Sequence, residues 1–259
     1  MIDGAKRTVL KVMRHFGYDL LRVPRVPTEP GFDAKDFYRP LFSPWYGYGE
    51  FAKFYELARP YTLISADRVY VLYVMATNCL ALDGEFWECG VYKGGSARML
   101  AAITQEEVTL RLFDTFCGLP GADSTRDFMK RGELGDTTLQ LVRSIVGDGV
   151  IRPGLIPETF CGLESSRIAL AHVDVDLYQS VLDCCKFIYP RLVLGGIVVF
   201  DDYGFSSTPG ARSAVDEFFS EKAEMPLALS TGQALVIKSS QLTTPISLRP
   251  NVPSLPNQG

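Results

Sequence analysis

The sequence is poor in the residues that build soft-metal and disulfide sites. It has only two histidines, and its six cysteines (79, 89, 117, 161, 184 and 185) form no CxxC pair. A thiolate or imidazole metal cluster is therefore not expected, and the cysteines suit reduced thiols in a cytoplasmic protein better than a disulfide framework. No run approaches eighteen uncharged apolar residues and the N-terminus has no apolar leader core, so no membrane association is expected. Lysine and arginine, 26 in all against 30 acids, are scattered, and the net charge is -4. No basic patch for nucleic acid is legible. What remains is an ordinary globular composition over 259 residues, enough for one large core.

What is present in excess is acid at two particular places. The runs Ile168–Ala171 and Ile197–Phe200 read as buried strands. Each is followed at once by aspartates, Asp174 and Asp176 after the first, Asp201 and Asp202 after the second. Strand ends of open α/β sheets are where such folds place their chemistry. Four carboxylates gathered there repel one another unless a cation or protons offset them, and oxygen-only donors suit magnesium. Helix capping is the plainer alternative for any single Asp. His172, one step inside its strand, is expected to be a packed core histidine, and Lys93 and Arg98 are expected on the surface.

Along the chain, residues 3–16 suggest a short amphipathic helix. Residues 18–49 show no period but carry Phe37, Tyr38, Phe42, Trp45, Tyr46 and Tyr48, which suit a lid or a wall for a ring-bearing ligand. Helices are expected over 51–58 and 65–82. A strand at 86–89 leads through Gly90, Gly94 and Gly95 into a helix, a turn that lets a ligand approach backbone amides. The next strand, 109–113, ends at Asp114, 24 residues beyond Gly90, where an acid is placed for a ribose diol. A loop over 117–136 and a short helix over 137–143 precede a strand at 143–146 closed by Gly147 and Asp148. Asp148 either meets an adenine amino group or caps a turn. Strand 167–173, helix 177–189 capped by Gly195 and Gly196, strand 197–200, helix 211–221 and a hairpin-like pair at 227–230 and 234–238 complete the pattern. Strands alternating with helices give an α/β doubly wound domain. We expect one domain over 1–259: helices and lid in 1–82, core in 83–238, and a proline-rich tail in 239–259.

Five stretches together resemble the macrocin O-methyltransferase family: Trp87–Ala97 (WECGVYKGGSA), Asp114–Pro120 (DTFCGLP), Ile168–Tyr178 (IALAHVDVDLY), Tyr189–Gly204 (YPRLVLGGIVVFDDYG) and Ala211–Phe219 (ARSAVDEFF). The segment Tyr61–Arg68 is similar to the one preceding the family's glycine loop. The resemblance implies a Rossmann-like class I methyltransferase with a mostly parallel seven-stranded sheet, using S-adenosyl-L-methionine and Mg2+. It implies metal ligation by Asp174, Asp201 and Asp202, with Asp176 as general base. Glu88, Gly90, Gly94 and Gly95 would hold the cofactor's methionine part, Asp114 the ribose and Asp148 the adenine, with Ser65 closing over the cofactor. The implied partner is a small-molecule acceptor with adjacent oxygens, such as a vicinal diol on a natural-product sugar in antibiotic biosynthesis. A catechol, phenolic or polyketide acceptor and a non-catalytic cofactor-binding partner are the alternatives. Related enzymes are often oligomers, which leaves a homo-oligomer open. An NAD(P)-dependent oxidoreductase would also use a glycine loop, but ECGVYKGG is not GxGxxG and four clustered Asp would serve no purpose there.

Overall fold

The computed structural model describes residues 12, 13, 15, 49–122, 125–147 and 149–239. The chain divides into two compact units, Met1–Ser43 and Pro44–Gly259, and nearly all described residues belong to the second. Val12, Met13 and His15 are helical. The rest of the expected N-terminal helix, the aromatic stretch up to Tyr48, Asp148 and the tail from 240 lie outside the described residues.

Two helices come first, α1 (Phe51–Ala58) and α2 (Ala66–Cys79), separated by a single 3-10 turn through Pro60. In α2 the buried residues are Val69, Leu72, Ala76 and Cys79, a spacing that puts one stripe against the sheet. The alternating units follow: β1 (Glu85–Cys89), α3 (Gly95–Thr104), β2 (Leu110–Asp114), α4 (Leu139–Val146), β3 (Val150–Pro153), β4 (Ile168–Val173), α5 (Tyr178–Ile188), β5 (Leu192–Phe200), α6 (Pro209–Phe219), β6 (Leu227–Ala228) and β7 (Ala234–Ile237). The seven strands of the described residues form one sheet in the order β3-β2-β1-β4-β5-β7-β6. The first five are parallel, whereas β7 runs antiparallel to both β5 and β6.

Side-chain alternation divides the core into two layers. Trp87, Cys89, Ala171, Val173, Val198 and Phe200 face α5 and α6, while Phe86, Leu112, Leu170 and Val199 face α1, α2 and α3. The first layer contains a ring cluster in which Trp87 lies 4.8 Å from Phe113 and 5.5 Å from Phe160, centroid to centroid.

Two local expectations need correction. Residues 143–146, expected as a strand, complete α4, because the Thr138 side chain accepts from the Leu141 amide and the apolar residues Leu139, Val142 and Val146 follow the helical period. The third strand is instead Val150–Pro153, a half-exposed edge strand with little hydrophobic signature. Gly195 and Gly196 do not cap a helix; they lie inside the nine-residue β5. Gly195 has φ +78°, and a side chain on Gly196 would press within 3.0 Å of the Ile168 carbonyl oxygen, where the β4–β5 register shifts. The closing pair is present as an antiparallel hairpin, but β7, not β6, adjoins β5.

Candidate active site

Strand order reverses between β1 and β4, and it is at their carboxyl ends that the backbone opens into a cleft. The Gly90 amide donates to the Phe113 carbonyl (2.9 Å) and the Asp174 amide to the Cys89 carbonyl (2.8 Å), so the strand ends stay laddered up to the turn. Gly90 has φ +87°, and a Cβ there would collide with the Asp174 carbonyl oxygen. Only glycine permits this approach. A cavity of about 230 Å³ lies above, lined on one wall by Gly90, Val91, Tyr92, Asp114 and Thr115, and on the other by Asp174, Asp176 and Asp202.

On the first wall Asp114 closes β2. Its Oδ2 accepts from the amides of Val91 (2.7 Å) and Tyr92 (2.9 Å), and its Oδ1 from Phe116 (2.7 Å). The carboxylate thus fixes the glycine loop from below. Gly94 and Gly95 lie at the start of α3 and are buried away from the cleft. A Cβ on Gly95 would sit 2.7 Å from the Ala58 carbonyl oxygen and from Thr62, so this glycine lets α3 seat against the end of α1. Ser65 is exposed at the N-terminus of α2, its Oγ 3.3 Å from Arg68 Nε. Lys93 pairs with Asp136 at 2.5 Å on the surface.

The second wall carries the acids. Asp174, Asp201 and Asp202 each offer an oxygen within 4.8 Å of the others. Burial first, and the neighbouring Asp201 and Asp202 second, push the Asp174 carboxyl well above the usual carboxylate range. The same two causes raise Asp202 to about 6 and Asp176 to about 8. Asp176 adopts φ +58°, a left-handed conformation unusual for a residue with a side chain, and its amide donates to Asp202 Oδ2 (3.0 Å). Asp201 behaves differently. Burial alone would raise its carboxyl, but His172, Arg68 and Gln233 together hold it below the usual range.

Of these partners, Arg68 and Gln233 are not singled out by the sequence, whereas His172 is expected as a packed core residue, and Glu88 stands against it. Glu88 is fully buried in β1, outside the cleft, and its Oε1 lies 2.9 Å from His172 Nδ1. His172, also fully buried as expected, turns Nε2 toward Asp201 Oδ1 at 3.7 Å. Burial disfavours the imidazolium, yet the carboxylates of Asp201 and Glu88 outweigh it and push His172 up to about 10. Gln233 Nε2 donates to Asp201 Oδ1 (2.8 Å), and the Arg68 guanidinium pairs with Asp201 Oδ2. Pattern matching could have found Glu88 and His172, which are direct partners in the β1–β4 register. Arg68 and Gln233 come from distant elements and leave no local signal.

The donor set fits a hard divalent cation. Two buried carboxylates, Asp201 and Asp202, and the half-buried Asp174 converge, all ligand atoms are oxygens, and their mutual repulsion is offset only in part by Arg68 and His172. No described helix is long and apolar enough to cross a membrane.

Comparison with known proteins agrees with the geometry. The model of the macrocin O-methyltransferase (TylF) family matches residues 57–229. An 8-demethyl-8-(2,3-dimethoxy-alpha-L-rhamnosyl)-tetracenomycin-C 4'-O-methyltransferase of Streptomyces olivaceus is 30% identical over 179 residues, covering 61% of this chain and 67% of the relative. The mycinamicin III 3''-O-methyltransferase of Micromonospora griseorubida is 28% identical over 180 residues, covering 61% and 70%. The solved structure of the O-methyltransferase NovP superposes with a TM-score of 0.63 at 21% identity, over 70% of this chain and 83% of that one, a likeness of fold. With the motifs in order across one sheet edge, the chain belongs to the macrocin O-methyltransferase family and is an S-adenosylmethionine-dependent O-methyltransferase.

Proposed function

We propose that this enzyme methylates a hydroxyl of a sugar carried by a natural product, with magnesium held by Asp174, Asp201 and Asp202 and with Asp176 as general base. The observation that carries the reading is the convergence of three aspartates within 4.8 Å, Asp174 and Asp202 on the cleft wall opposite the glycine loop and Asp201 fully buried beside them. The sugar acceptor is supported by the tetracenomycin relative, whose name places its reaction on a rhamnosyl-bearing compound. A vicinal diol, or another acceptor with adjacent oxygens, suits a cation site beside a base.

When bound, S-adenosylmethionine supplies the electrophilic methyl group, and a divalent cation supplies positive charge that acidifies a nearby hydroxyl and the surrounding carboxyls. The chain does the rest. The Gly90 turn and the Asp114-braced amides of Val91 and Tyr92 give the cofactor a rigid wall. Asp176 lines the cleft beside Asp202 and accepts the acceptor's hydroxyl proton; a base whose pKa lies near neutrality suits that transfer. Holding donor and acceptor in one small cavity aligns them, which contributes as much as the acidity does.

The test is methyl transfer from labelled S-adenosylmethionine to a panel of rhamnosylated aglycones, free vicinal diols and catechols, with and without EDTA. Transfer to the glycosylated acceptors that stops on chelation and returns with magnesium is expected. Full activity in EDTA would remove the cation, and transfer confined to catechols would remove the sugar.

A further inference from the structure

Among the described residues that line the cleft, Arg68 is the only basic one. Its guanidinium pairs with Asp201, lies 4.8 Å over the Phe205 ring, and its side chain is 15% exposed. Phe205 can occupy that place because Gly232, at φ +92°, has no Cβ; one would fall 2.8 Å from the ring. Arg68 is thus wedged between an aromatic ring and a carboxylate, a setting that suits a planar cation. The attachment of α2 to this corner does not depend on the guanidinium. Gln233, fully buried, donates through Nε2 to both the Arg68 carbonyl (3.3 Å) and Asp201 Oδ1 (2.8 Å), while its Oε1 accepts from Thr231 Oγ1 (3.0 Å). Asp201 therefore keeps its orientation through Gln233 even without Arg68.

The guanidinium pairs with Asp201, which shares one 4.8 Å cluster with Asp174 and Asp202, and His172 is the other basic group beside that cluster. A permanent cation ion-paired to one of these aspartates has two opposed electrostatic effects. It relieves repulsion among the acids when no other cation is present, and it repels a divalent ion placed among the same acids. We propose that Arg68 is a positioning residue that serves as built-in counter-cation of the aspartate cluster, holding the metal-free site together and setting the strength of divalent-cation binding. This rests on the reading that Asp174, Asp201 and Asp202 hold a cation.

The experiment compares the full-length protein with R68M and R68K, using Mn2+ as the probe, followed by electron paramagnetic resonance, and melting temperature in EDTA. S-adenosylhomocysteine affinity is the control. Expected for R68M is Mn2+ binding about tenfold tighter than wild type, a lower melting temperature in EDTA, and a larger rise in melting temperature on adding Mn2+. R68K should return both quantities toward wild type. Unchanged or weaker Mn2+ binding in R68M, with wild type binding normally, overturns the inference and leaves the cation site standing. Loss of S-adenosylhomocysteine affinity without any change toward Mn2+ also overturns it and assigns Arg68 to the cofactor. No Mn2+ binding by wild type or by R68M brings down the cation reading and this inference with it. If R68M does not fold, R68Q measured the same way decides by the same criteria.

Discussion

On the glycine-loop wall of the cleft, Asp114 spends its two oxygens on three backbone amides, those of Val91, Tyr92 and Phe116. On the facing wall, Asp174, Asp176 and Asp202 have carboxyls pushed up by burial first and by neighbouring carboxylates second, Asp201 among them in each case. Both walls carry acids at strand ends of the same sheet. The difference lies in what the backbone offers them. The loop after β1 turns its amides inward and satisfies an acid locally, whereas the segments after β4 and β5 bring acids together faster than they bring donors. A satisfied carboxylate shapes a pocket; an unsatisfied group of them calls for a cation.

The sharpest way to break this contrast is to remove an acid from the second wall. If Asp174 holds the proposed cation, D174A is expected to lower methyl transfer by about a thousandfold or more, since a charge acting in the transition state would lose a ligand. S-adenosylhomocysteine affinity should stay within about threefold of wild type. If calorimetry shows cofactor binding collapsing along with activity, the two walls are not separate in function.

On the first wall, D114N keeps the shape but replaces one acceptor oxygen with a donor. At least one of the three amides then faces an NH2 group and loses its partner. A rise of roughly tenfold in the KM for S-adenosylmethionine is expected, with a smaller fall in kcat and the same response to EDTA and magnesium as wild type. A changed metal requirement with normal cofactor KM would reverse the assignment of the walls. G90A strikes the seam between them. Its methyl group must displace the Asp174 carbonyl, in a backbone conformation that favours glycine. A melting temperature lower by roughly 5–10 °C is expected, and an unchanged one would mean that the seam yields.

The two walls were not equally legible in the sequence. The acids stood out because short apolar runs end on them, and the runs at 168–173 and 197–200 are central strands with no competing period. β3 was missed because a half-exposed edge strand closed by Pro153 carries no such run, while the β-branched end of α4 imitated one. Gly195 and Gly196 looked like a helix stop, since glycine in a strand that bulges has the same local signature as glycine past a helix. The residues that tune Asp201 were harder still. Arg68 is 133 positions away in sequence and Gln233 is 32, and only the sheet order brings them to one corner. Glu88 stood in the cofactor motif yet points to His172 inside the sheet, because alternation along β1 turns it to the opposite face from Trp87 and Cys89.

The smallest effect expected is also the one that reads the second wall without chemistry. Asp176 is raised to about 8 from an ordinary 3.8, and Asp202 to about 6, so the folded protein holds protons that the unfolded chain has released. Stability from these groups is complete below about pH 4 and is lost as pH climbs through 6 and then 8. In EDTA, then, the melting temperature should fall by a few degrees between roughly pH 5 and 9. His172, raised from 6.5 to about 10, adds to the upper part of that decline, while the lowered Asp201 contributes only on the acid side. D176N removes the group raised furthest of these two and should flatten the slope between about pH 5 and 8. Magnesium should flatten it in the wild-type protein by favouring the ionised carboxyls, which is the behaviour of a wall built to be neutralised by a cation. A slope unchanged by both D176N and magnesium would mean that the acids are offset by protein groups alone, as Asp114 is on the other wall.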